Sequence, residues 1–321
     1  LVLVTGLAVA CGNAASTGEP AHGSEPGALE PLTLEAGEKL AVVATTNIVG
    51  DVVAQVAGDR IDLVTLMGTG VDPHSYVPTP ADTAAIYDAD VVLISGGGLE
   101  ANMENVLESA GGEASRVSLF EGIEPLPAGS EAHEAEDAGE EADHDHGDVD
   151  PHVWFSVPNV IHWVDRIEQT LSALDPANAG HYQENARAYI AELEALDGWI
   201  MDQVALIPEG NRRLVTNHPV FGYFAARYGL EQVGAVYPVS PAAEPSAQEI
   251  AALQDAIQAF GVPAVFTEST VNPKLAEQVA EDTGVQLVPL YTGSLGEPGS
   301  GAGTYLDMMR YDVEAIVEAL R

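Results

Sequence analysis

The sequence predicts an α/β fold built as two lobes, each a parallel sheet flanked by helices. Three observations carry that expectation. Short β-branched runs alternate with amphipathic helical stretches, the pattern of βα units in a parallel sheet. The pattern occurs twice: the strand with a polar exit at Val42-Val-Ala-Thr-Thr-Asn47 has a counterpart at Arg213-Leu-Val-Thr-Asn-His218. Between the halves runs one helical stripe, Tyr182, Ala186, Tyr189, Leu193, Leu196, Ile200 and Val204, with steps of three or four residues.

In chain order, the first lobe covers 39–174. Strands are expected from 39, at 61–67, at 91–95 and, more weakly, at 117–119. Helices are expected at 48–57, 81–89, 100–110 and 158–174. Loop 68–80 is punctuated by Gly and Pro, and the glycines at 96–98 end the third strand. Residues 121–148 are acidic and nearly free of large apolar groups, so a disordered loop is expected there. Asp175 and Pro176 suit the N-cap and first position of the long helix, placed at 175–208 and stopped by Pro208 and Gly210. About thirty residues give roughly 45 Å, enough to cross from one lobe to the other. The second lobe, 209–321, is expected to place strands at 213–218, 232–237, 264–267 and 285–290. Its helices are expected at 221–228, 246–260, 273–283 and 305–320, with a Gly-rich loop at 293–303. Ser246 and Glu249 form a capping-box pattern at the head of the second of these.

The 321 residues include 46% apolar ones, enough for a sizeable core, but 50 are acidic and only 11 basic, a net charge of −39. Nucleic acid is excluded as a partner, because phosphate binding needs clustered Lys and Arg. Cys11 is the only cysteine, so no internal disulfide can form. It follows an apolar run, 1–10, that ends Ala8-Val9-Ala10. That order reads as a signal segment followed by a lipid-modified Cys11, too short to span a bilayer. Residues 11–38, rich in Gly, Ala, Ser, Glu and Pro, read as a flexible tether.

Metal chemistry is concentrated around Asp143-His-Asp-His-Gly-Asp-Val-Asp-Pro-His-Val-Trp-Phe-Ser156. Imidazole beside carboxylate suits a divalent cation of the zinc or manganese type. His133, His144 and His146 belong to the acidic loop and read as an accessory. His152 differs, because Pro151 and the following aromatic pair hold it. His74 and His218 have the same character, each beside a proline, Pro73 and Pro219, which restricts the local backbone. In such sheets ligands bind beyond the carboxyl ends of the strands, where all three are expected. No HExxH, paired cysteines or phosphate-binding loop is present.

Six stretches together resemble the metal-binding lipoproteins of ATP-binding-cassette importers, the zinc and manganese uptake family called cluster A-I. They are Thr45-Thr-Asn-Ile-Val-Gly-Asp51, Asp72-Pro-His-Ser-Tyr-Val-Pro-Thr-Pro80, Asp150-Pro-His-Val-Trp-Phe-Ser156, Thr216-Asn-His-Pro-Val-Phe-Gly-Tyr-Phe224, Ala243-Glu-Pro-Ser246 and Phe266-Thr-Glu-Ser269. The resemblance implies two lobes joined by one long rigid helix, with a metal carried in the cleft by His74, His152 and His218. It implies an extracytoplasmic protein, lipid-anchored or periplasmic, that serves a membrane permease; a monomer is expected. Manganese-type members place an Asp shortly before the Tyr of the last helix, and alignment on Tyr305 puts Gly303 there. Glu268 is then the first candidate for a fourth ligand, with Asp307 or water as others. Three imidazoles with at most one carboxylate favour Zn2+ over Mn2+. A zinc-dependent hydrolase with Glu268 as base and a surface adhesin are the rival readings.

Overall fold

The computed structural model describes residues 29–35, 37–128, 149–237 and 245–321. Cys11, His133, His144 and His146 lie outside the described residues, as do most of the expected tether and loop.

The first sheet has β1 (Leu40–Ala44), β2 (Ile61–Thr65), β3 (Val91–Ile94) and β4 (Ser115–Ser118) in the order β2-β1-β3-β4, all parallel. The second has β5 (Arg213–Thr216), β6 (Glu231–Ala235), β7 (Ala264–Glu268) and β8 (Gln286–Leu290) in the order β6-β5-β7-β8, again parallel. The two lobes therefore share one topology. In each, the chain reverses direction across the sheet beside the first strand, and ligands bind at such switch points.

Alternation of side chains across each strand divides the apolar residues into three groups. Val42, Ala44, Val91 and Leu93 on the first sheet, and Leu214, Ala264 and Phe266 on the second, face one continuous core. That core is filled by α1 (Asn47–Ala57), α4 (Val157–Leu174), α5 (Ala179–Val204), α6 (Gly222–Tyr228) and α9 (Tyr305–Leu320). On the outer face of the first sheet, Val43 and Val92 pack with residues of α2 (Pro80–Asp88) and α3 (Glu104–Ser109). On the outer face of the second, Val215, Val233 and Val265 pack with α7 (Ala247–Phe260) and α8 (Lys274–Thr283).

The long helix α5 has 26 residues, about 39 Å at 1.5 Å per residue. All seven residues of its expected stripe are buried. It starts later than Asp175 suggests. Asp175 is the C-cap of α4, and its Oδ2 accepts from Asn178 Nδ2 and the Tyr182 hydroxyl at 2.7 and 2.8 Å. That carboxylate is thus committed to a turn, and Asn178 becomes the N-cap. No helix among the described residues is long and apolar enough to cross a membrane.

Two stretches expected to be loose are partly docked. In the expected tether, Leu29 and Leu34 pack against the main core and the Leu32 N–H donates to Leu174 O at 2.9 Å. In the expected acidic loop, Ile123 and Leu126 pack against the same core. Arg166 Nη2 donates to Glu121 Oε2 at 2.6 Å, and Pro127 bridges Val149. The few apolar residues at the edges of polar stretches suffice to pin them.

Asp312, on α9, is fully buried; its Oδ1 accepts from the Tyr291 N–H at 2.9 Å, and its Oδ2 has no partner. Burial pushes its pKa well above the carboxylate range, against a smaller opposing effect of the Tyr291 bond. The folded state then holds this proton more tightly than the unfolded state. The resulting stability is fully present below the unfolded value of about 3.9 and is lost as pH rises through the raised folded value. Thermal melts of wild type and Asp312→Asn should therefore diverge with rising pH, with wild type losing ground. Parallel curves would show that Asp312 does not titrate in this way.

Candidate metal centre

The His74, His152 and His218 rings meet between the lobes, and one nitrogen from each lies within 4.8 Å of the others. They are the only such cluster of metal-ligating groups among the described residues. The Nε2 atoms of His74 and His152 are 3.0 Å apart, and those of His152 and His218 are 3.4 Å apart. A tetrahedral ion with bonds of about 2.0–2.1 Å needs ligand atoms roughly 3.3 Å apart. Nitrogens this close, on three different loops, suit a shared cation better than one another.

Local sequence explains each placement. Asp-Pro-His occurs twice, and both copies form the same turn. Asp72 Oδ1 accepts from the His74 N–H at 3.0 Å, and Asp150 Oδ1 accepts from the His152 N–H at 2.9 Å. An Asp side chain bonding the backbone two residues on is the Asx-turn, and the intervening proline stiffens it. The repeated tripeptide was the signal that could have identified Asp150 as a partner. That carboxylate also lies 2.7 Å from His152 Nδ1. The His74 loop is tied from below by Asn102, whose Nδ2 donates to His74 O. The turn leading to Asn102 needs glycine at 96, where φ is +86° and an added Cβ would lie 2.1 Å from Ser118 Oγ. There the Ser95 and Gly96 N–H groups and the Thr45 hydroxyl all donate to buried Glu100.

His218 follows β5, and Glu268 ends β7 beside it. Glu268 Oε1 lies 2.5 Å from His218 Nδ1 and accepts from the His218 N–H at 3.2 Å; Oε2 accepts from the Thr292 hydroxyl at 2.6 Å. Burial alone would raise the Glu268 pKa. The His218 charge and the bonds from His218 and Thr292 outweigh burial and hold it below the usual range. Asp150 and Glu268 thus play one role. Each accepts a hydrogen bond from the Nδ1–H of a histidine, which fixes its tautomer and leaves Nε2 to face inward.

Glu268, expected as a fourth ligand, has both oxygens engaged and stands behind His218 rather than among the Nε2 atoms. Asp307 is exposed in the first turn of α9, where its N–H caps onto Thr304 Oγ1. Gly303, the position that alignment on Tyr305 singles out, does not reach the histidines. Its nearest neighbours are Glu297 and Pro298, whereas Gly293 is the residue of that loop that abuts Pro73, beside His74.

Two α/β lobes around three convergent imidazoles define a bilobal metal-binding protein of the substrate-capturing kind. Over residues 42–319 the chain matches the family described as zinc-uptake complex component A, periplasmic (ZnuA), and it belongs to that family. It is similar to the manganese-binding lipoprotein MntA of Halalkalibacterium halodurans, with 36% identity over 92% of this chain and 93% of the relative. It is also similar to the manganese ABC transporter substrate-binding lipoprotein PsaA of Streptococcus mitis, with 30% identity over 88% of this chain and 90% of that one. Among solved structures, the periplasmic zinc-binding protein TroA of Treponema pallidum superposes with a TM-score of 0.77. Identity there is 30%, covering 88% of this chain and 99% of TroA. The chain is therefore an extracytoplasmic metal-binding component of an ATP-binding-cassette transporter and not an enzyme, which removes the hydrolase reading. Relatives named for manganese do not support narrowing the family to a zinc-uptake type.

Proposed function

We propose that this protein captures zinc through the Nε2 atoms of His74, His152 and His218 and hands the ion to a membrane permease. The observation that supports the reading is the donor set: three imidazoles converge with no carboxylate oxygen among them in the described residues. Nitrogen donors with water in a fourth position suit four-coordinate zinc, whereas manganese favours more oxygen ligands. Zinc would arrive as cargo. Manganese is the second reading, favoured by the names of MntA and PsaA. In this proposal a lipid on Cys11 holds the monomer at the membrane, residues 39–174 and 209–321 act as the lobes, and α5 links them. His133, His144 and His146 collect extra ions without building the tight site. A competition titration of zinc against manganese, on the full chain and on a chain lacking 131–147, tests this. Zinc should displace manganese at one tight site in both. Tighter binding of manganese would overturn the choice of ion, and loss of the tight site on deletion would overturn the role given to the loop.

A further inference from the structure

The Gly-rich loop after β8 touches a neighbour of each of the three histidines. Thr292 O accepts from Trp154 Nε1 at 3.0 Å, and the Trp154 ring meets the His152 ring edge-on at 5.3 Å. The Thr292 hydroxyl holds Glu268, which holds His218. Gly293 lies so close to Pro73, next to His74, that an added Cβ would sit 2.9 Å from Pro73 Cδ. Ser294, buried, then joins both lobes. Its Oγ accepts from Asn47 Nδ2 at 2.9 Å, at the head of α1, and from the Gly70 N–H at 2.8 Å, in the loop that carries His74. Asn47 Oδ1 completes the ring by accepting from the Leu295 N–H at 3.1 Å.

We infer that the Asn47–Ser294 pair is a latch whose opening sets the rate at which the bound ion leaves. Residues 292–295 cannot lift away from the His74 loop without breaking the bonds at Ser294 and Asn47. Lifting them breaks the contacts with Trp154, Glu268 and Pro73 together, each beside one of the histidines. The latch is made of neutral groups and touches no ligand atom, so it acts on release and leaves the donor set intact. Asn47 and Ser294 are positioning residues in this account, which rests on the metal reading of the site.

The test is stopped-flow transfer of zinc from the protein to an excess of chelator, for wild type, Asn47→Ala, Ser294→Ala and the double variant. Breaking one or two ordinary hydrogen bonds should speed release roughly five- to thirty-fold, with the association rate unchanged. The double variant should release no faster than about the faster single, because both changes open one latch. Thermal melts of the metal-free proteins separate this from general loosening, and Ser294→Thr, which keeps the hydroxyl, should release zinc more slowly than Ser294→Ala. Release at the wild-type rate from either alanine variant overturns the latch, as does a double variant whose effect is the product of the singles. Wild-type protein that takes up no zinc overturns the reading of the site and the latch with it.

Discussion

On the proposed reading of the site, His152→Ala should lower zinc affinity by more than about a hundred-fold, the upper end of what is lost when a supporting partner of a ligand is removed. His152 is the centre of the cluster, with Nε2 within 3.4 Å of the Nε2 of both other histidines. Its ring is buried between Asp150 and Trp154, so alanine leaves a space that neither remaining imidazole can reach across. A chelator competition assay measures the loss. His162→Ala is the comparison: that ring bonds Glu121 O at 2.8 Å, outside the cluster, and its removal should leave affinity as it was. Equal affinities for His152→Ala and wild type would remove His152 from the site.

What the sequence made legible depended on whether the signal was local. The α5 stripe is a local periodicity, and the same seven residues are buried in the structure. The parallel sheet of each lobe was readable because the βα pattern repeats within each half. The histidines stood out because each had a neighbouring proline. The second layer was harder. Asp150 was visible in the repeated Asp-Pro-His, yet its meaning needed the Asx-turn. Glu268 was noticed at a strand end, but a sequence cannot show which nitrogen of His218 it would meet. Asn47 and Ser294, 247 residues apart, form a pair that no period or spacing encodes. Asp175 misled because one side chain could cap either of two neighbouring helices, and its contact with Tyr182 decided between them.

On the same reading, zinc affinity should fall steeply as pH drops from about 7.5 to 5.5, since imidazole ordinarily protonates near pH 6.5 and only the neutral ring binds a metal. The sign follows from competition: each ring that must lose a proton adds one power of proton concentration against binding. With three rings, the limiting slope approaches about a thousand-fold per pH unit. The Glu268 carboxyl is held below the usual carboxylate range, so it stays ionised across this window and adds no proton dependence of its own. A carboxylate in place of one of the imidazoles would flatten the curve, because it titrates near pH 4 and would not compete with protons here. Chelator competition at several pH values between 5.5 and 7.5 therefore measures the composition of the site. Averaged over that window, each ring that titrates near pH 6.5 contributes about half a power of ten per unit, so a mean slope of about three-fold per unit would mean that no more than one imidazole carries the ion. A slope well above ten-fold is expected of a centre in which His74, His152 and His218 act together.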